Sequence, residues 1–179
     1  MTLAGTGNTW NASGKINGCI DLTGAGSANF PASLLGTITD RTFCTWIYKT
    51  ATSGAILGEQ NLPSFTPILY FGTDGKLYGS CNTGTITPMV SPAAVSNNAW
   101  HHVALTRAGN VQTMYLDGNI VGSMVAPIVA DYPNAQIGAA YSSGWPNVTG
   151  SPAFYTGKFD DVRLYNRALA PAEIWKLFN

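Results

Sequence analysis

Two adjacent histidines lie in Asn98-Ala99-Trp100-His101-His102-Val103-Ala104-Leu105-Thr106-Arg107, the segment that most invites a metal or acid–base reading. Consecutive side chains on a strand point to opposite faces, so His101 and His102 are not expected to share one ion. The expectation is one ring packed inside with a hydrogen bond and the other facing outward. Cys19, Cys44 and Cys81 make no C-x-x-C or Cys/His cluster, which argues against structural zinc. No G-x-S-x-G occurs to set up a serine nucleophile. The only glutamates are Glu59 and Glu173, and Glu59, in Gly58-Glu59-Gln60-Asn61, has no acidic neighbour at alternate spacing. Asp40, Asp74, Asp117 and Asp131 sit in turn contexts, where an aspartate more often caps its own backbone. No catalytic residue is assigned, and the chain reads as a non-enzyme.

The chemistry that remains is stacking. Tyr141-Ser142-Ser143-Gly144-Trp145-Pro146-Asn147-Val148-Thr149 joins two aromatics to small polar residues, a combination suited to the flat apolar face and hydroxyl rim of a sugar. The expected ligand loop therefore contains Tyr141, Trp145 and Asn147. Phe65, in Leu62-Pro63-Ser64-Phe65-Thr66-Pro67, and Tyr155 would line the same edge. The competing expectation is that Trp145 folds back as a plug or is buried against a neighbouring subunit. Trp10, Trp46 and Trp100 are expected in or against the core. The sequons at Asn11 and Asn147 read as chance matches in a chain rich in Asn, Ser and Thr.

These residues need a scaffold. The 179 residues fit one domain, 1–179, and 45% hydrophobic content is enough to fill its core. Charged residues make up 10% and cancel to zero, so no basic footprint for nucleic acid or an anionic membrane exists. No apolar run is long enough for membrane insertion, and Met1-Thr2-Leu3-Ala4-Gly5-Thr6-Gly7-Asn8 does not read as a signal peptide. Glycines and prolines cut the chain into short segments rich in β-branched and aromatic residues. Strands are expected around 18–22, 42–48, 55–57, 68–72, 77–81, 100–107, 111–116, 120–125, 136–138 and 157–165. Asp74-Gly75, Ala108-Gly109-Asn110 and Asp117-Gly118-Asn119 read as hairpin turns, because Asp-Gly accepts positive φ cheaply. Successive hairpins without intervening helices imply an antiparallel, all-β sandwich. Only the tail looks helical, with Pro171 at its start and Ile174, Leu177 and Phe178 on one face.

Trp100-His101-His102-Val103-Ala104-Leu105-Thr106-Arg107, Met114-Tyr115-Leu116-Asp117-Gly118 and Phe159-Asp160-Asp161-Val162-Arg163-Leu164-Tyr165-Asn166-Arg167-Ala168-Leu169 resemble the laminin-G-like, concanavalin A-like jelly-roll superfamily. Gly14–Leu22 is similar to that family's first core strand and Thr42–Ile47 to its next. The resemblance implies a jelly-roll β-sandwich with a short C-terminal helix, in which the strand usual before Gly14 is abbreviated. Laminarinase-like members carry an E-x-D-x-E run that this chain lacks. Many relatives hold a structural Ca²⁺; by resemblance its carboxylate ligand would be Asp160, with Asp21 as a second choice and carbonyls from the N-terminal segment. The competing expectation is that Asp160 and Asp161 pair with Arg163, Arg167 or loop amides. The functional expectation is a non-catalytic recognition or adhesion module that binds a glycan or cell-surface ligand through edge loops. The alternative is a structural or decoration protein that packs against other subunits of a virus or phage particle. Either implies an extracellular or virion surface.

Overall fold

The computed structural model describes residues 1–35, 39–59, 67–81, 85–127, 134–141, 144–150 and 152–179. In chain order the strands are β1 (Thr2–Gly5), β2 (Thr9–Asn11), β3 (Cys19–Thr23), β4 (Gly26–Asn29), β5 (Arg41–Lys49), β6 (Gly54–Glu59), β7 (Pro67–Phe71) and β8 (Lys76–Gly79). They continue with β9 (Met89–Ala94), β10 (Trp100–Ala108), β11 (Val111–Leu116), β12 (Asn119–Val125), β13 (Ala135–Ile137), β14 (Ala139–Ala140), β15 (Ala153–Phe154) and β16 (Thr156–Tyr165). Helix α1 (Pro171–Phe178) ends the chain. One sheet runs β1-β4-β13-β6-β7-β8-β9, the other β12-β11-β10-β5-β16-β3-β2, and β14 pairs with β15. The described pairings are antiparallel.

Alternation along β5 shows how the layers arise. Phe43 and Ile47 join Val103, Leu105 and Met114 in the core between the sheets. Cys44 points the other way, into a second cluster with Ala104, Tyr115, Leu169 and Ile174. That outer face is apolar because α1 lies on it, so the central strands are buried on both sides. Pro171 opens the helix, where its missing N–H costs nothing. Glu173 Oε2 accepts the Ala170 N–H at 2.8 Å. Ile174 and Leu177 face the sheet, and Phe178 stacks on Trp46 with ring centroids 5.6 Å apart.

The Asp117-Gly118 turn joins β11 to β12 with both residues at positive φ. A side chain at Gly118 would meet the Trp175 ring at 2.6 Å, so the helix seats against a position open only to glycine. Each strand expected from the sequence is present, with ends shifted by a residue or two. Six others, β1, β2, β4, β9, β14 and β15, were not expected from the sequence; β9 carries Pro92 and lies at a sheet edge, where a missing N–H is tolerated. The strands before Gly14 are short, four residues in β1 and three in β2. The N-terminal residues form β1 on β4 and β2 on β3, supplying an edge to each sheet. Cys19, Cys44 and Cys81 are buried free thiols, and burial pushes Cys44 up to about 12.

Candidate functional site

The aromatic loop is not an open platform. β7 and β8 place Tyr70 and Tyr78 on the outer face of their sheet, stacked with centroids 4.9 Å apart. Leaving so much ring area in water is unfavourable, and Trp145 covers it, edge-on to Tyr70 at 6.0 Å. Hydrogen bonds lock the cover down. Tyr70 Oη donates to the Pro146 carbonyl at 3.0 Å, and the Thr73 N–H donates to the Asn147 carbonyl at 2.6 Å. Asn147 Nδ2 donates to Tyr78 Oη at 2.6 Å, which donates to Asp74 Oδ2 at 2.8 Å. Trp145 is 7% exposed, which corrects the expectation of an exposed ring and makes it the plug. Tyr155 is corrected too: it is 1% exposed, inside the core beside Phe159 at 4.6 Å, and lines no edge. Asn147 is exposed with its amide engaged, Tyr141 is half-buried, and Phe65 lies outside the described residues.

The histidines diverge as strand geometry requires, but the hydrogen bonds fall on the other ring. His101 Nδ1 is 2.8 Å from Asp117 Oδ2 and its Nε2 is 2.8 Å from Ser96 Oγ. His102 is buried against Trp46, its Nδ1 has no partner, and burial lowers its pKa to about 4. Asp117 is desolvated too, yet the bonds from His101 and the His102 amide hold it below the usual carboxylate range. The two glutamates belong to different layers. Glu59 ends β6 in one sheet, while Glu173 sits on α1 over the other and forks onto Arg167 at 2.7 and 2.8 Å. They cannot flank one bond as a hydrolytic pair would.

Asp160 is tied into the backbone. Its Oδ2 accepts the Ile16 N–H and its Oδ1 the Asp161 N–H, each at 2.7 Å. A Cβ on Gly14 would come within 2.5 Å of Oδ2, so the N-terminal loop wraps the carboxylate closely. Asp161 Oδ1 accepts from Arg163 Nε at 2.8 Å. Asp21 stands across β3 and β16 from Lys158. Calcium needs about six to eight oxygen ligands. Among the described residues no three His, Cys, Asp or Glu side chains gather to hold a metal, and this donor set fits calcium poorly.

The three tryptophans expected in or against the core separate. Trp46 is buried, with Lys15 Nζ 4.6 Å above its ring. Trp100 is half-buried beside Tyr48, with centroids 5.5 Å apart. Trp10 is 66% exposed. It lies on β2 opposite Ile20, at the edge of its sheet, where no further strand pairs with β2 among the described residues. Beside it opens a recess of about 150 Å³ lined by Trp10, Cys19, Ile20, Phe159, Asp160 and Val162 among others. Sequence reasoning missed it because Thr9-Trp10-Asn11 shows no periodicity. The usable signal was a tryptophan between polar residues in a segment too short for a central strand.

The sequence pattern described as the Concanavalin A-like lectin/glucanases superfamily matches residues 22–175. The chain belongs to that superfamily. No curated protein matches it by sequence. Among solved structures, the superfamily sandwich is similar to domain 4 of AbnA, an extracellular arabinanase from Geobacillus stearothermophilus, in complex with arabinotriose. That match has 17% identity and a TM-score of 0.74 over 99% of this chain and 87% of that one. Trypanosoma rangeli sialidase in complex with sialic acid matches at 18% identity and TM-score 0.69, over 96% of this chain and 29% of the sialidase chain. The LG4-5 domains of the mouse laminin alpha1 chain match at 17% and 0.63, over 85% and 44%. At these identities the likeness is one of fold. Among the described residues no helix is long and apolar enough to cross a membrane.

Proposed function

We propose that this lectin-like sandwich is a non-catalytic glycan-recognition module working at an extracellular surface, and that Trp10 is its stacking residue. The observation that carries the reading is an indole two-thirds exposed at a sheet edge, beside a recess with a carboxylate in its wall. An indole held by a strand offers sugar C–H groups a flat face at little entropic cost. The Asp160 and Asp161 oxygens retain lone pairs for sugar hydroxyls, since each carboxylate oxygen can accept more than one bond. The superfamily and the arabinotriose-bound neighbour support a saccharide as ligand. The separation of Glu59 and Glu173 supports holding rather than hydrolysis.

The test is a glycan array followed by calorimetric titration of the best binder, with wild type and Trp10→Ala. The expected result is saturable binding weakened about tenfold or more, equivalent to about 1.4 kcal/mol, at an unchanged thermal midpoint. Equal affinity in Trp10→Ala, or cleavage of the bound saccharide, would sink the proposal.

A further inference from the structure

Three side chains joined by hydrogen bonds meet beside the start of β10. Ser96 lies in the connection from β9 to β10, His101 on β10, and Asp117 in the turn from β11 to β12. Ser96 Oγ is 2.8 Å from His101 Nε2, and His101 Nδ1 is 2.8 Å from Asp117 Oδ2. Burial raises the Asp117 pKa, but the bonds from His101 and the His102 amide outweigh it and keep the carboxylate ionised at neutral pH. An ionised carboxylate only accepts, so the proton of the neutral His101 ring sits on Nδ1. Nε2 therefore accepts from the Ser96 hydroxyl, the orientation a general base needs to draw that proton off.

The groups are held in place. Asp117 Oδ1 accepts the His102 N–H at 2.9 Å, and the Asp117 N–H donates to the His102 carbonyl at 2.8 Å. The chain is pinned on both sides of Ser96, by the Val95 N–H on the Gly75 carbonyl and the Asn98 N–H on the Lys49 carbonyl, each at 2.9 Å. Between these anchors the backbone turns sharply, with Asn98 at a φ of 59°. The Asn97 N–H, next after the serine, donates to no acceptor among the described residues, which leaves it for a developing oxyanion. Ser96 and Asn97 are both exposed, so a carbonyl group can reach them from solvent.

A G-x-S-x-G motif is absent, but a serine–histidine–carboxylate set is defined by geometry and not by chain order. We propose that Ser96, His101 and Asp117 form a nucleophilic serine site that transfers a small acyl group from a carboxylic ester to water. Ser96 Oγ bonds to the acyl carbon as its proton passes to His101 Nε2. The ester C–O bond then breaks, and the leaving alcohol takes that proton. Water, deprotonated by the same nitrogen, cleaves the acyl-serine to the carboxylic acid and the free hydroxyl. Asp117 is a positioning residue that fixes the His101 tautomer. The target is an ester carbonyl and not a glycosidic bond, so the Trp10 recess still holds a saccharide without cleaving it. Trp10, Ile20, Phe159, Ile47 and His101 are successive cross-strand partners, which sets the two sites four strand spacings, about 19 Å, apart.

The test treats the full chain with diisopropyl fluorophosphate and locates the adduct by peptide mass spectrometry. The expected result is one labelled serine, Ser96, with labelling slowed at least about a hundredfold in His101→Gln. Cleavage of p-nitrophenyl acetate is expected to fall by at least about a hundredfold in Ser96→Ala, whose exposed position keeps the fold out of the comparison should His101→Gln not fold. Asp117→Asn, which can donate to Nδ1 and so turn the proton onto Nε2, is expected to lower kcat without raising KM. No adduct at Ser96, an adduct formed equally fast in His101→Gln, equal ester cleavage by Ser96→Ala, or an unchanged kcat in Asp117→Asn would overturn the proposal.

Discussion

Tyr155→Phe tests whether burial has been assigned correctly at a residue whose type alone suggested ligand contact. The phenol is 1% exposed and its oxygen has no hydrogen-bond partner. Burial holds its pKa well above the ordinary tyrosine value. In the unfolded chain the hydroxyl is hydrated; in the folded chain it loses that water and gains no partner. Such an orphan costs about 1–3 kcal/mol. Removing the oxygen returns that cost and leaves a void smaller than a methyl group, which costs under about 1 kcal/mol. The ring stays against Phe159, so the packing stays intact. The balance is a gain of about 1 kcal/mol, and for a chain of this size each kcal/mol moves the midpoint by roughly 2–4 °C. Scanning calorimetry of wild type and Tyr155→Phe is therefore expected to show the variant melting higher by about that much. A midpoint several degrees lower would mean that the hydroxyl has a partner in the folded state. A loss of saccharide binding at unchanged stability would return Tyr155 to the ligand site.

Acid stability follows His102, whose pKa falls to about 4 through burial against about 6.5 when unfolded. Between these values the unfolded chain binds the extra proton. Stability should be full above about pH 6.5 and fall by up to roughly 3 kcal/mol as pH drops toward 4. His102→Gln should flatten that limb, and a wild-type midpoint constant from pH 7 to 4.5 would contradict the assignment. Trp145→Ala opens the Tyr70–Tyr78 cover and should cost about 3–5 kcal/mol in urea unfolding, where an exposed ligand tryptophan would cost almost nothing. With Asp160 held by the Ile16 and Asp161 amides, the midpoint should not move between millimolar Ca²⁺ and chelator; a rise of several degrees with Ca²⁺ would make Asp160 a ligand.

What could be read from the sequence depended on how far away the cause lay. The Asp117-Gly118 turn, the strand around 42–48 and the helix start at Pro171 are all set by residues within a few positions, and each was legible. Exposure of an aromatic is set by whatever lies over it. Trp10 and Trp145 look alike in the chain, each among small polar residues. The difference is that Tyr70 and Tyr78, some seventy positions from Trp145, present an apolar face that must be covered, whereas Trp10 sits on the last strand of its sheet. Arg41 and Arg107 hid in the same way. Each reads as surface charge at a strand end, and only the β5–β10 register, which aligns residues 66 positions apart, turns them into a buried pair. In this sandwich, then, turns and faces are local properties, while binding chemistry is a property of register, and a search for sites has to begin with which strands are neighbours rather than with which residues are conspicuous.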